Sequence, residues 1–186
     1  MKKLTVAITG ASGAIYAHEF MKLLAPVEDV EVHGLISEAG EKVLDLELGL
    51  AKEDLAGVKR WYDVKDFTAP MASGSAGYHA MAVLPCTMGT LAAISAGLSQ
   101  NLIHRAADVI LKERLPLVLA VRETPLNRNH LKNMLSAHEA GATICPAMPG
   151  FYQGPETLEA MARNFAARVA EQLGVAVDYP RWQGVE

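Results

Sequence analysis

Short, continuous apolar runs alternate along this chain with segments of helical periodicity. No other feature limits its fold so strongly. Strands are expected at 4–8 ("LTVAI"), 30–36, 81–85, 116–121 and 142–146. Helical spacing covers 14–25, 38–49, 87–98, 102–114, 129–141 and 156–174, with Ser37 placed to cap the second helix and Gly141 to close the fifth. Residues 51–72 are mixed, and "VKDFTAPMASGS" reads as loop. Strands that are apolar on both sides must be covered on both faces, which requires parallel strands with crossover helices. The expected class is therefore α/β: a single-domain, three-layer Rossmann- or flavodoxin-like sandwich with a mostly parallel sheet. With 186 residues and 51% hydrophobic content there is material for one full core, so the whole of 1–186 is read as one domain. The tail, about 175–186, is expected to pack on a neighbouring subunit.

Open parallel sheets bind ligands at the carboxyl ends of their strands. That rule gathers "TGASG", "ISEAG", "PCTMGT", "RETPLN" and "PAMPGFYQGP" at one edge. A net charge of -4 argues against a nucleic-acid partner. Yet residues 105 to 168 carry eight Lys/Arg against six Asp/Glu, so cations in that half can face a small anion. No run is long enough to span a bilayer, and the apolar start is too short for a signal peptide. Cys86 and Cys145 have neither metal-ligand spacing nor a disulfide framework. They read as strand-end thiols in a reducing, cytoplasmic protein, and no metal site is expected.

The first strand runs straight into Gly10-Ala11-Ser12-Gly13 and then a helix, a junction that aims backbone N–H groups at an anion. The spacing is not G-x-G-x-x-G, and Ser37 stands where an acidic ribose ligand of a dinucleotide site would be. There is no Gly-Lys-Ser/Thr for a nucleotide triphosphate and no G-x-S-x-G nucleophile elbow. A modest polar ligand and a plain strand–helix turn both remain open on these residues alone.

The stretches "ITGASGAIYA", "MASGS", "LPCTMGTLAAI", "NLIHRAADVILKERLPLVLAVRETPL", "PAMPGFY" and "RWQG" are specific in combination. Together they resemble the UbiX family of flavin prenyltransferases over about residues 3–184. The resemblance implies a metal-independent transfer of a dimethylallyl group from dimethylallyl phosphate to N5 and C6 of reduced FMN. The product, prenylated FMN, would serve a UbiD-type decarboxylase of the kind used in ubiquinone biosynthesis. It also implies a homo-oligomer, a dodecamer in the family.

Residue by residue, the resemblance implicates Gly10, Ala11, Ser12, Ser37, Thr87, Met88, Gly89, Thr90 and Arg122 in holding FMN. It implicates Arg105, Lys112, Glu123, Tyr152 and Arg168 in holding the prenyl phosphate. It places Glu123, Glu47, Ser12 and Trp182 among the catalytic residues. The chemistry is coherent: ionising a C–O bond to phosphate needs cations around the leaving group, an allyl cation needs a π surface, and a carboxylate can take the flavin proton. "TMGT" opens a helix, whose N–H groups favour an anion or carbonyl. His104, beside Arg105, is expected to pack or face solvent.

The chain departs from the family after "MASGS". A Phe and a segment of the type xTxGM are usual there, and this chain has Ala76-Gly77-Tyr78-His79. Ala76 removes a ring expected near the prenyl pocket. Thr87 and Gly89 stand where Ser and Lys are frequent. Three other functions compete. A flavin-dependent decarboxylase of the same superfold would need a His-bearing motif and a Pro-x-Met-Asn loop that this chain lacks. An FMN carrier or chaperone would have no use for Arg105, Lys112, Tyr152 and Arg168 together. A nicotinamide-dependent reductase would want the missing acidic residue.

Overall fold

The computed structural model describes residues 1–184. Six strands form one sheet: β1 (Lys2–Ile8), β2 (Val30–Ile36), β3 (Val58–Tyr62), β4 (Tyr78–Cys86), β5 (Leu117–Val121) and β6 (Thr143–Ile144). The helices are α1 (Ala14–Leu24), α2 (Glu38–Leu48), α3 (Met88–Ser95), α4 (Leu102–Lys112), α5 (Arg128–Glu139) and α6 (Leu158–Gln172). The strand order is β3-β2-β1-β4-β5-β6, and every neighbouring pair is parallel. This is the 3-2-1-4-5-6 order of the Rossmann sheet. Without its edge strand β3 it becomes the flavodoxin order, so the expected class holds in both its forms.

The period-2 alternation of each strand builds two cores. Leu4, Val6, Ile8, Ala82, Leu84, Val118 and Ala120 face α1, α2 and α6. Ala7, Leu35, Met81, Val83, Leu117 and Leu119 face α3, α4 and α5. Because both faces are buried, the polar-out alternation that usually marks a strand is absent, and the strands read as apolar runs.

Two elements differ from the sequence expectation. β3 lies inside the segment read as mixed. Its Lys59 and Arg60 are exposed at the sheet edge, so its sequence, "VKRWY", lacks an apolar run. What docks it is Trp61, whose indole lies over Gly34 of β2; a Cβ at Gly34 would come within 2.4 Å of the ring. A lone glycine inside "VEVHGLI" was the available signal for such a close approach. β6 is only two residues long rather than 142–146. The chain nevertheless stays beside β5, with Cys145 N donating to Leu119 O at 3.0 Å and Ala147 N to Val121 O at 2.8 Å. Pro146 falls between these donors, on the outward register of an edge where its missing N–H costs nothing.

Candidate active site

The strand order reverses between β1 and β4: β1 leads away to β2 on one side, and β4 to β5 on the other. The loops after these two strands diverge into opposite layers and leave a crevice. On the β1 side, Gly10 approaches the first turn of α2 so closely that a Cβ would sit 2.5 Å from Ala39 Cβ. Ala11 is buried and Ser12 exposed. Gly13 has φ +110, which favours glycine. Ser37 donates its N–H to Ile8 O at 3.0 Å and caps α2 by accepting from Gly40 N at 3.0 Å, as expected. Its hydroxyl hydrogen stays available.

Glu47 approaches from the end of α2. Its Oε2 accepts the Gly13 N–H at 2.9 Å and the Ala14 N–H at 2.8 Å. Burial works against its charge. Bonding from the Ser12 side chain and from Gly13 and Ala14, with Arg122 nearby, outweighs burial and holds the carboxyl below its usual range. The consequence is chemical. The N-terminus of α1 would take the pyrophosphate in a dinucleotide-binding sheet. Here it is closed by the protein's own carboxylate. This is a firmer argument against a nicotinamide dinucleotide than the loop spacing.

On the β4 side, Thr87 caps α3: its Oγ1 accepts from Thr90 N at 3.1 Å and donates to Thr90 Oγ1 at 2.9 Å. The backbone N–H groups of Met88 and Gly89, in the first turn of α3, have no partner within the helix. Gly89 is exposed, with nothing within 4 Å of a Cβ built on it. Arg122, following β5, donates Nε to Ser12 O at 3.1 Å and leaves its terminal nitrogens for a ligand. Glu123 is exposed beside it, its Oε1 accepting the Thr124 N–H at 3.0 Å. All the residues implicated in holding FMN thus stand at one sheet edge.

A second cluster follows β6. Tyr152 and Arg168 line a cavity of about 210 Å³ together with Cys145, Phe165 and the Pro149–Gly150 turn. Trp182 meets Tyr152 edge-to-face, with ring centroids 5.5 Å apart. The tail reaches this point along its own chain: Tyr179 OH donates to Glu171 Oε2 at 2.8 Å, and Arg181 reaches Glu171 Oε1 at 2.7 Å. Arg168 also pairs with Glu171. Two guanidinium groups on one carboxylate leave a net positive charge beside Tyr152.

Arg105 and Lys112 lie elsewhere in the chain. Both are on α4, which leads directly into the amino end of β5, so Lys112 is near the opposite edge of the sheet. Arg105 donates Nε to Ala72 O at 3.1 Å and pairs with Asp108 at 2.6 Å. Lys112 pairs with Glu113 beside Gly74. Among the described residues no hydrogen bond or ion pair joins them to Arg122, Tyr152 or Arg168. Among the described residues, the fold does not bring Arg105 and Lys112 into contact with Arg122, Tyr152 or Arg168 within one chain.

Cys86 is fully buried at the end of β4, where burial pushes its thiol up to about 12. Cys145 is only half-buried. His104 packs, as expected: it is 7% exposed, and burial lowers its pKa. Among the described residues, no helix is long and apolar enough to cross a membrane.

The family described as Flavoprotein matches residues 1–167. The flavin prenyltransferase UbiX of Methanothermobacter thermautotrophicus is 44% identical, over 99% of this chain and 97% of its own length. The chain belongs to the UbiX family of flavin prenyltransferases. Two solved structures share the UbiX fold across nearly their whole length. AnUbiX (PadA1), in complex with FMN and dimethylallyl pyrophosphate, superposes with a TM-score of 0.95 at 37% identity, covering 100% of this chain and 99% of its own. A dodecameric, FMN-dependent UbiX-like decarboxylase from Escherichia coli O157:H7 superposes with a TM-score of 0.93 at 40% identity, covering 98% and 100%. Family membership accounts for the single domain and the sheet order.

Proposed function

We propose that this chain is a flavin prenyltransferase that joins the dimethylallyl group of dimethylallyl phosphate to N5 and C6 of reduced FMN. The observation that carries the reading is the closure of α1 by Glu47. It removes the site for a second phosphate. What remains suits a mononucleotide: the Ala11 and Ser12 loop, the Ser37 hydroxyl, the first turn of α3 and the free end of Arg122. Reduced flavin supplies the nucleophilic ring positions. The protein's part is to hold the two substrates face to face, keep water out and bind the departing phosphate.

Glu123, exposed at the crevice edge, is the carboxylate placed to take the proton released from N5. Tyr152 and Arg168 share a cavity and hold the phosphate of the prenyl donor. Trp182 offers the nascent allyl cation a second π surface. Arg105 and Lys112 complete the phosphate site across a subunit boundary, delivered by another copy. The dodecameric E. coli relative supports such an assembly. The tail reinforces it, since the outer face of Trp182, 60% exposed, is open to a neighbour. The product passes to a UbiD-type decarboxylase in the cytoplasm, a setting that suits two unpaired cysteines.

The test is anaerobic incubation with reduced FMN and dimethylallyl phosphate, followed by mass spectrometry of the released flavin. A flavin heavier by one five-carbon prenyl unit is expected. Tightly bound but unmodified flavin would instead support the carrier function.

A further inference from the structure

The two flavin-holding loops are joined at their roots by the first residue of the β1 loop, Thr9. Regular pairing of β1 with β4 ends at Ala7 opposite Val83, before either loop begins. Past that point the strands part, α1 packing on one face of the sheet and α3 on the other. Thr9 bridges the gap. Its N–H donates to Pro85 O at 3.2 Å, and its Oγ1 donates to the same carbonyl at 2.8 Å. The same Oγ1 accepts the Thr87 N–H at 2.9 Å. Thr9 is 2% exposed, so bulk water does not reach its hydroxyl.

This one hydroxyl fixes two things. It sets the separation between Gly10, the next residue of the β1 loop, and Thr87, the first residue of the opposite loop. It also sets which donors the α3 turn presents. Thr9 takes the Thr87 N–H and Thr87 takes the Thr90 N–H, so the N–H groups aimed outward are those of Met88 and Gly89. The hydroxyl donates and accepts at once: it adds a second bond to Pro85 O, which the Thr9 N–H also reaches, and it is the acceptor of the Thr87 N–H.

We infer that Thr9 is a positioning residue for the flavin: its hydroxyl holds the β1 and β4 loops at the spacing that grips FMN from both layers. The inference rests on the reading that this crevice takes FMN. Removing the hydroxyl leaves the part-buried Thr87 N–H without its acceptor, and the α3 turn shifts as that donor finds another. The methyl of Thr9, in contrast, is ordinary packing.

The experiment compares Thr9→Val, which keeps the volume and loses the hydroxyl, with Thr9→Ser, which keeps the hydroxyl and loses the methyl. Oxidised FMN binding is followed by quenching of flavin fluorescence, and KM for dimethylallyl phosphate is measured on reduced FMN. Thr9→Val is expected to weaken FMN about tenfold, while Thr9→Ser stays within about threefold of the parent and neither moves KM for the prenyl donor. Parent-like FMN affinity in Thr9→Val would overturn the inference. So would equal weakening in both variants, which would assign the effect to the methyl. Should Thr9→Val fail to fold, Thr9→Ala removes hydroxyl and methyl together and is read against Thr9→Ser: weaker FMN binding than in Thr9→Ser is expected, and equal binding would overturn the inference. A parent protein that does not bind FMN would instead sink the reading of the crevice, independently of Thr9.

Discussion

The Glu47 carboxylate accepts the Ala14 N–H at 2.8 Å and so fills, from another helix, the capping position that Gly13 cannot fill with a side chain of its own. Glu47→Ala should therefore destabilise the flavin-free protein by about 1 kcal/mol, the usual value of a lost helix cap. Because folding lowers the carboxyl pKa from its ordinary 4.5, this contribution is present above that value and disappears as pH falls below it. Urea denaturation of parent and variant at neutral pH and near pH 3.5 measures both. A difference that persists undiminished in acid would rule out the carboxylate as its source.

Glu123→Gln should leave FMN binding unchanged and slow prenylation by about a hundredfold, the usual range for losing a general base. Single-turnover formation of prenylated flavin gives the rate. Full turnover in this variant would remove Glu123 from the mechanism.

Arg168→Ala should raise KM for dimethylallyl phosphate by about tenfold or more, as expected for losing a charge-assisted contact to phosphate, with FMN affinity intact. Arg181 would remain on Glu171, so the tail should stay docked. Equal loss of flavin affinity would mean that the cavity shared by Tyr152 and Arg168 belongs to the flavin.

Thr5 lies in β1 and Thr9 just past its end, and their hydroxyls have opposite fates. Among the described residues, Thr5 Oγ1 is buried without a hydrogen-bond partner, whereas Thr9 Oγ1 has two. Thr5→Val should thus be neutral or stabilise by up to about 1 kcal/mol, while Thr9→Val should destabilise by about 1–3 kcal/mol. Thermal melts of the two variants side by side provide the measurement, and a loss in Thr5→Val as large as that in Thr9→Val would contradict the hydrogen-bond assignment.

His104 Nδ1 is the other buried atom without a partner among the described residues. Burial lowers the pKa from 6.5, so the folded state favours neutral imidazole. Its protonation penalty is absent above pH 6.5 and grows as pH falls below it. His104→Leu should match or exceed the parent stability at pH 7.5 and lose less of it on acidification to pH 5.5. Parallel pH profiles for the two proteins would show that His104 does not titrate against folding.

What the residues determine on their own is local. Continuous apolar runs such as "LTVAI" and "PLVLAV" can be satisfied only by burial on both faces, so the parallel sheet and its ligand edge follow without any coordinates. Ser37 and Gly141 mark helix ends because capping is a short-range property of the backbone. β3 escaped because an edge strand needs little apolar surface, and its anchor, Trp61 over Gly34, is a contact between distant segments. The same holds for the site. Motif resemblance can nominate Gly10, Thr87 and Arg122, but only the strand order puts Arg122 against Ser12 and Glu47 against Ala14. It likewise puts Arg105 and Lys112 on α4, across the sheet from the helix that carries Arg168. Hydrogen-bond partners are chosen by proximity in space, and proximity is decided when the sheet closes its register. The role of Thr9 lies in that gap: its residue type is unremarkable, and its two partners stand 76 and 78 positions away.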